Sequence, residues 1–504
     1  MASPAKKWRR RVGALLMGLA SLFILEAALR LVNAAPPEVP IKELYQRPGR
    51  VFILDGDRYQ TDPENPYFAP QSFPARKAKG VMRVFVTGGS TAMGFPMEGY
   101  YGPTQLLALA LDAVQPGVRH EFINAAGYGY STYEVEAVVE ELLRYEPDAI
   151  VLMTGQNEYL ENRFGEESGF RGLWQKIRLY RVMAGLVSAA RRDADKKKWE
   201  PHTVTAEERV LVRNNFRKDM DKIKTLCRHR GVKLILVTAA ANLEDYRPHG
   251  PSQVPRQDQE KIDRELKQGG DRLDRALEML KPWKQKYPDD AWLLFEEASV
   301  LRAKALADGA ASGGESEEDQ LRELVNSSLK YLGPANALFA RACDLDPWPV
   351  RASSEINAII RETSGPGVTL ADPDEYFSRL RTDLGYQEAD YFLDHCHLND
   401  TGEETLAKII LPAFAQAGLV DLPADWMAAE SSVIEQYHAK VPDYAWAQSY
   451  YTIGYETGVN MDRPARGLVY ADKALKLDPL HVKARMLKDR LEPLANSRYA
   501  LTGE

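Results

Sequence analysis

Val81-Met82-Arg83-Val84-Phe85-Val86-Thr87-Gly88-Gly89-Ser90-Thr91 is a run of β-branched and apolar residues that ends in two glycines and a serine. Residues 81–87 read as a strand, because such side chains suit a pleated, buried surface. The glycines let the backbone turn tightly just beyond it. Working outward, the same unit recurs. Residues 104–114 have helical periodicity, 121–124 read as a short strand, and 132–145 as a charged amphipathic helix. A buried strand is predicted at 149–154, a long helix at 209–230, and a strand at 232–238. A last short strand follows at 367–372, then a helix at 400–417 with Asp400 or Thr401 as its N-cap. Strands alternating with helices predict an α/β fold whose parallel sheet is covered on both faces. Ligand sites in such sheets lie at the carboxyl ends of the strands. The loops 87–94, 125–131 and 155–158 each follow a strand, so all three are expected to open on one edge.

The chain of 504 residues is long enough for two or three domains. Its hydrophobic share of 44% and charged share of 27% are those of a folded globular protein. The net charge of −7 and the lack of a basic stripe with interleaved aromatics argue against nucleic acid as a partner. Cys227, Cys343 and Cys396 are far apart and form no CxxC pair, so no disulfide framework and no cysteine-built metal site is expected.

Residues 1–33 have a different texture. Lys6, Lys7, Arg9, Arg10 and Arg11 precede an apolar run from Val12 to Leu25, and apolar residues continue to Val32 past Glu26 and Arg30. Basic residues ahead of an apolar run predict a cytoplasmic N-terminus and an exported remainder. The run reaches the roughly 20 residues a spanning helix needs if Glu26 and Arg30 pair or snorkel at the far interface. A cleaved signal peptide ending near Val32-Asn33-Ala34 is the competing reading. Either one puts the rest of the chain outside the cytoplasm. Residues 34–80, rich in proline and polar side chains, read as an extended lead-in. The mixed charge run 193–198 reads as a solvated loop.

From 261 to 365 the pattern is helical only. Segments 272–286 and 291–306 read as a helical hairpin, and a low-complexity stretch follows at 305–319. Ala335-Asn336-Ala337-Leu338-Phe339-Ala340-Arg341-Ala342-Cys343-Asp344-Leu345-Asp346-Pro347 ends as Ala471-Asp472-Lys473-Ala474-Leu475-Lys476-Leu477-Asp478-Pro479 does. Both are amphipathic helices with small alanines, closed by Leu-Asp-Pro. They resemble tetratricopeptide repeats, in which small residues let paired helices pack closely. These helices are expected either to bind a protein partner or to shape the substrate cleft. The α/β domain is thus expected at 81–260 and 366–420, with 261–365 inserted and 421–504 appended.

Four motifs carry the chemistry: Gly88-Gly89-Ser90-Thr91, the run Asn124 to Ser131, Gly155-Gln156-Asn157-Glu158, and Asp394-His395-Cys396-His397. Ser90 offers a hydroxyl nucleophile. A phosphate loop is excluded because no GxxxxGK(S/T) pattern is present. Gly127-Tyr128-Gly129 lacks the third glycine of a dinucleotide fingerprint, and no GxSxG elbow occurs. The amide of Gly129 and the side-chain amide of Asn157 are candidates to hold an oxyanion, although alone they also fit a plain turn and a helix cap. His397 is one of eight histidines, and Asp394, three residues before it, is placed to orient its imidazole. A metal pair of His395 and His397 competes with this reading, but no further ligand cluster is visible, so neither a metal nor a cofactor is expected.

In this order the motifs resemble the SGNH or GDSL hydrolases. The first block matches Gly88-Gly89-Ser90 with Gly89 in place of Asp. The second matches at Gly129. The third, GxND, matches Gly155 to Glu158 with Glu for Asp, and DxxH matches Asp394 to His397. The resemblance covers less than half the chain. It implies a three-layer α/β/α fold and a serine esterase in which Ser90 attacks, His397 takes the proton and Asp394 holds the imidazole. Amides of Ser90, Gly129 and Asn157 would hold the oxyanion. Asn242, Arg247 and His249, after the fourth strand, are candidates for substrate contact. The expected function is an exported, membrane-tethered ester hydrolase acting on acyl esters such as O-acetyl groups of a glycan or lipid esters. The alternatives are an O-acyltransferase acting on a cell-surface glycan and a non-catalytic repeat-bearing scaffold.

Overall fold

The computed structural model describes residues 50–160, 203–311, 326, 328–384, 391–460 and 463–502. The N-terminal anchor or signal segment and the charge run 193–198 lie outside these residues. Among the described residues, no helix is long and apolar enough to cross a membrane.

The described part of the lead-in is not merely extended. It forms β1 (Phe52–Asp55), β2 (Arg58–Thr61) and β3 (Ser72–Pro74), an antiparallel sheet in the order β1-β2-β3. Asp55 pairs with Arg58 across a two-residue turn, and Gly56 supplies the positive φ of 61° that such a turn requires. Phe52 and Phe73 bury themselves against Phe85 and Tyr145, which ties this small sheet to the main core.

The opening run becomes β4 (Val81–Gly88), followed by α1 (Ser90–Met93), α2 (Pro103–Val114), β5 (Arg119–Asn124), α3 (Thr132–Leu142) and β6 (Ala149–Met153). Then come α4 (Ala206–His229) and β7 (Lys233–Val237). The helices α5 (Arg256–Gln268), α6 (Arg272–Lys286), α7 (Ala291–Ala311), α8 (Gly333–Asp344) and α9 (Ser354–Thr363) precede β8 (Val368–Ala371). The chain continues as α10 (Pro373–Arg379), α11 (Asp400–Gln416), α12 (Trp426–His438), α13 (Asp443–Tyr455), α14 (Pro464–Leu477) and α15 (Val482–Thr502).

Strands β4 to β8 form one parallel sheet in the order β5-β4-β6-β7-β8. Side chains alternate between its faces, as a period of two demands. Val84 and Val86, Val151 and Met153, and Ile235 and Val237 pack with Leu106, Leu107 and Leu111 of α2, Leu406, Ile410 and Phe414 of α11, and Ile434 of α12. Phe85, Ile150, Leu152, Leu234 and Leu236 pack on the opposite face with Val135, Val139 and Leu142 of α3, Phe216 and Met220 of α4, and Ile356, Ile359 and Ile360 of α9. The result is a sheet between two helical layers. From β4 the chain winds out to β5, then returns across β4 to β6 and onward. That reversal leaves a crevice between the carboxyl ends of β4 and β6, where ligands bind in such sheets.

Two boundaries shift. Helix α9 belongs to the sheet's own layer, so the helical excursion ends before Ser354 and not at 365. A parallel crossover from β7 to β8 needs a covering helix, and α9 supplies it. The N-cap of α11 is Asn399, whose side chain accepts from the Gly402 amide at 2.9 Å, not Asp400 or Thr401. At the C-terminal end, α13 packs on α14 and α14 on α15. Small residues permit this: a Cβ on Gly467 would lie 2.5 Å from the Gly458 Cα.

Candidate active site

Ser90 is the first residue of α1, with Gly89 as N-cap. Its backbone amide therefore points out of the helix start, where no intrahelical acceptor exists. The approach is tight. A Cβ on Gly88 would lie 1.8 Å from the Met153 carbonyl oxygen, and one on Gly89 would lie 2.7 Å from Asn157 Nδ2. Glycine is thus required at 88 by the neighbouring strand end, whereas a Cβ at 89 would have to move the Asn157 side chain.

Backbone contacts tie the three loops together. The Gly89 amide donates to Met153 O at 3.3 Å and the Gly127 amide to Gly88 O at 3.0 Å. Asn157 Nδ2 donates to Tyr130 O at 2.9 Å. Gly129, with φ of 70°, lies one residue before that carbonyl. Glu158 accepts from the Thr132 amide at 3.0 Å and the Thr132 hydroxyl at 2.7 Å, which places its negative charge at the start of α3.

The fourth loop brings the histidine. His397 Nε2 lies 2.8 Å from Ser90 Oγ, and His397 Nδ1 lies 2.7 Å from Asp394 Oδ2. The other carboxylate oxygen, Asp394 Oδ1, accepts the amides of Cys396 at 2.9 Å and His397 at 2.8 Å. Ser90, Asp394, His397 and Asn157 are all buried. Residues 307 positions apart are thereby joined in one hydrogen-bonded chain from hydroxyl to imidazole to carboxylate.

The electrostatics follow from this packing. Burial alone would raise the Asp394 carboxyl, but the adjoining His397 and His395 hold it well below its usual range. Burial likewise works against a charged His397, yet the Asp394 carboxylate outweighs it and raises the proton affinity of the ring. At Cys396 burial pushes the thiol up, and the flanking His395 and His397 bring it down to about 7.

Asn242, Arg247 and His249, the candidates for substrate contact, all make contacts within the scaffold, those of Asn242 below being through its backbone. The Asn242 amide donates to His395 O at 3.0 Å, and its carbonyl accepts from Arg351 Nη1 at 2.8 Å. Arg247 pairs with Asp263 at 2.7 Å and Glu296 at 2.8 Å. The backbone amide of His249 donates to Asp346, and its ring lies against Trp348. The sequence reading placed them by strand order alone; buried carboxylates on the inserted helices claim the arginine first.

Residues not singled out from the sequence also surround the site. The Phe95 ring lies 4.9 Å from that of His397. Beside it is a small recess lined by Phe95, Tyr101, Leu393, Glu403, Trp446 and Tyr450. Glu403 is buried there, and desolvation raises its carboxyl well above the usual range. Its signal in sequence was only an acid in the first turn of α11, which helix-dipole logic explains without reference to a site.

No family model matches the chain, its repeat-like helices included, and no curated protein matches it. Among solved structures it is similar to the lipase/acylhydrolase from Enterococcus faecalis, at 12% identity over 68% of this chain and 98% of that one, with a TM-score of 0.29. It is similar to LAE5, an alpha/beta hydrolase enzyme from the metagenome of Lake Arreo, Spain, at 14% identity over 68% and 96%, with a TM-score of 0.28. A third likeness, to TesA, has 14% identity over 50% and 99%, with a TM-score of 0.19. Scores this low leave function to the geometry of the site.

Proposed function

We propose that the chain is a serine ester hydrolase. The observation that carries this reading is the continuous path from Ser90 Oγ to His397 Nε2 at 2.8 Å and from His397 Nδ1 to Asp394 Oδ2 at 2.7 Å. Ser90 Oγ attacks the ester carbonyl carbon while its proton passes to His397 Nε2. The carbonyl oxygen becomes an oxyanion, held by the Ser90 amide, the Gly129 amide and the Asn157 N–H that is not spent on Tyr130. His397 then gives its proton to the departing alkoxide, leaving an acyl-serine and a free alcohol. Water repeats the sequence to release the acid and restore Ser90.

We further propose that the protein is held at a membrane by residues 1–33, with the site on the extracytoplasmic side, on the strength of the basic cluster and apolar run. The repeat-like helices would then be available to a protein partner. The test is turnover of short-chain esters and acetylated glycans, with Ser90→Ala as blank. The reading requires hydrolysis that this substitution lowers by about 10⁴-fold or more. Equal rates for the two proteins would contradict it. Faster acyl transfer to an added sugar than to water would replace hydrolase by acyltransferase.

A further inference from the structure

Behind His397 lies an arrangement that ester hydrolysis does not use. His395 and Cys396 take no part in the proton path from Ser90 to Asp394. Yet His395 Nδ1 or Nε2, Cys396 Sγ, a ring nitrogen of His397 and a carboxylate oxygen of Asp394 all lie within 4.8 Å of one another, and all four residues are buried. Cys396 Sγ is 3.9 Å from His397 Nδ1. His395 Nδ1 is buried, makes no well-aligned hydrogen bond, and faces Asp394 Oδ1 at ion-pair distance, 3.5 Å away. From the sequence, the two histidines lacked further ligands; the fold turns the intervening cysteine and the preceding aspartate toward them.

We propose that Asp394, His395, Cys396 and His397 form a binding site for a thiophilic divalent metal, zinc being the best fit, and that the bound ion switches the triad off. One thiolate, two imidazoles and a carboxylate are the donor set zinc takes. Tetrahedral zinc with bonds of about 2.0–2.3 Å holds its ligand atoms about 3.3–3.7 Å apart. The observed separations of 2.7, 3.5 and 3.9 Å straddle that range, and no pair of the four ligand atoms exceeds 4.8 Å. Cys396 also lines a second recess with Thr91, Met153, Ala239 and Leu398.

The consequence for the triad is a change of tautomer. Metal on His397 Nδ1 takes the lone pair that a neutral ring keeps there only when Nε2 carries the proton. The ring can then donate toward Ser90 Oγ but cannot accept its proton. Binding also releases the Cys396 thiol proton to solvent, so apparent affinity increases with pH. Loss of turnover without loss of substrate binding is expected. Only this inhibitory half rests on the esterase reading; binding itself does not.

Cobalt(II) titration of the full chain carrying Ser90→Ala tests binding without any need for catalysis. One equivalent should produce a thiolate-to-cobalt charge-transfer band in the near ultraviolet. Adding Cys396→Ser should remove the band, and adding His395→Gln instead should keep it at weakened affinity. In wild-type protein, saturating zinc should lower kcat at least about tenfold with KM unchanged. The Cys396→Ser protein, compared with its own metal-free rate, should need at least about tenfold more zinc. The site is overturned if no thiolate band forms, or if the band survives Cys396→Ser and so belongs to Cys227 or Cys343. The switch is overturned if zinc binds at Cys396 and kcat stays unchanged.

Discussion

Ser90 has a hydroxyl against His397 and a backbone amide at an open helix start, and both facts trace to the two glycines before it. The pair is legible in sequence as a tight turn after a strand. What lies against Gly89 is not legible there, because it is the side chain of Asn157 arriving from beyond another strand. Gly89→Ala would drive its Cβ toward Asn157 Nδ2, 2.7 Å away, and push that donor off the oxyanion. We expect kcat on a short-chain ester to fall by about 100-fold or more, the cost of one such donor, with melting temperature little changed. In the proposed mechanism His397 acts as base only when neutral, and Asp394 raises its proton affinity above the ordinary value of 6.5. The rate kcat/KM should therefore rise with pH through a midpoint above 6.5. Asp394→Asn should move that midpoint down and lower kcat by about 10⁴-fold. The same pairing has a stability signature. The His397 contribution is fully present below 6.5 and fades as pH rises through the raised folded value. The Asp394 contribution is present above 3.8 and is lost as pH falls through its depressed value. Denaturant midpoints against pH, wild type against Asp394→Asn, check both signs.

At the scale of elements, the strands buried on both faces were plain in the sequence. β4, β6 and β7 are near-continuous apolar runs, and the structure moves their ends by a residue or so. The small β1-β2-β3 sheet was hidden because its strands are only three or four residues long and polar on one side. Its one usable signal was Gly56-Asp57, a two-residue hairpin turn. Helix α9 was hidden for another reason. Its periodicity matches that of the inserted helices around it, and only the sheet it covers tells them apart. The C-terminal helix pairs depend on side chains that are missing. Gly467→Ala places a Cβ 2.5 Å from the Gly458 Cα and 2.7 Å from the Gly454 carbonyl oxygen. We expect a loss of about 1–3 kcal/mol, read as a lower melting temperature.

Across the whole molecule, both helical regions hold the histidine loop. Tyr470 and Arg466, from α14, donate to the carbonyl of Leu393, the residue before Asp394. From the other side, Arg351 fixes Asn242, whose amide holds the His395 carbonyl. Phe95, Leu393, Ile453 and Tyr470 share one apolar cluster beside the triad. No motif reveals this, since the partners are ordinary residues joined only by the fold. Tyr470→Phe should leave the fold intact and lower kcat by up to about 100-fold through a displaced imidazole. Its pH–rate midpoint should shift toward that of an unpaired histidine, a change that loss of stability alone would not cause. The central claim is that Ser90 is a nucleophile made ready by His397. Covalent labelling by a fluorophosphonate, with the modified peptide mapped, tests it most directly. The account predicts one equivalent of label on Ser90, none in Ser90→Ala, and strongly slowed labelling in His397→Ala. A well-folded wild-type protein that stays unlabelled, or label on any other residue, would contradict it.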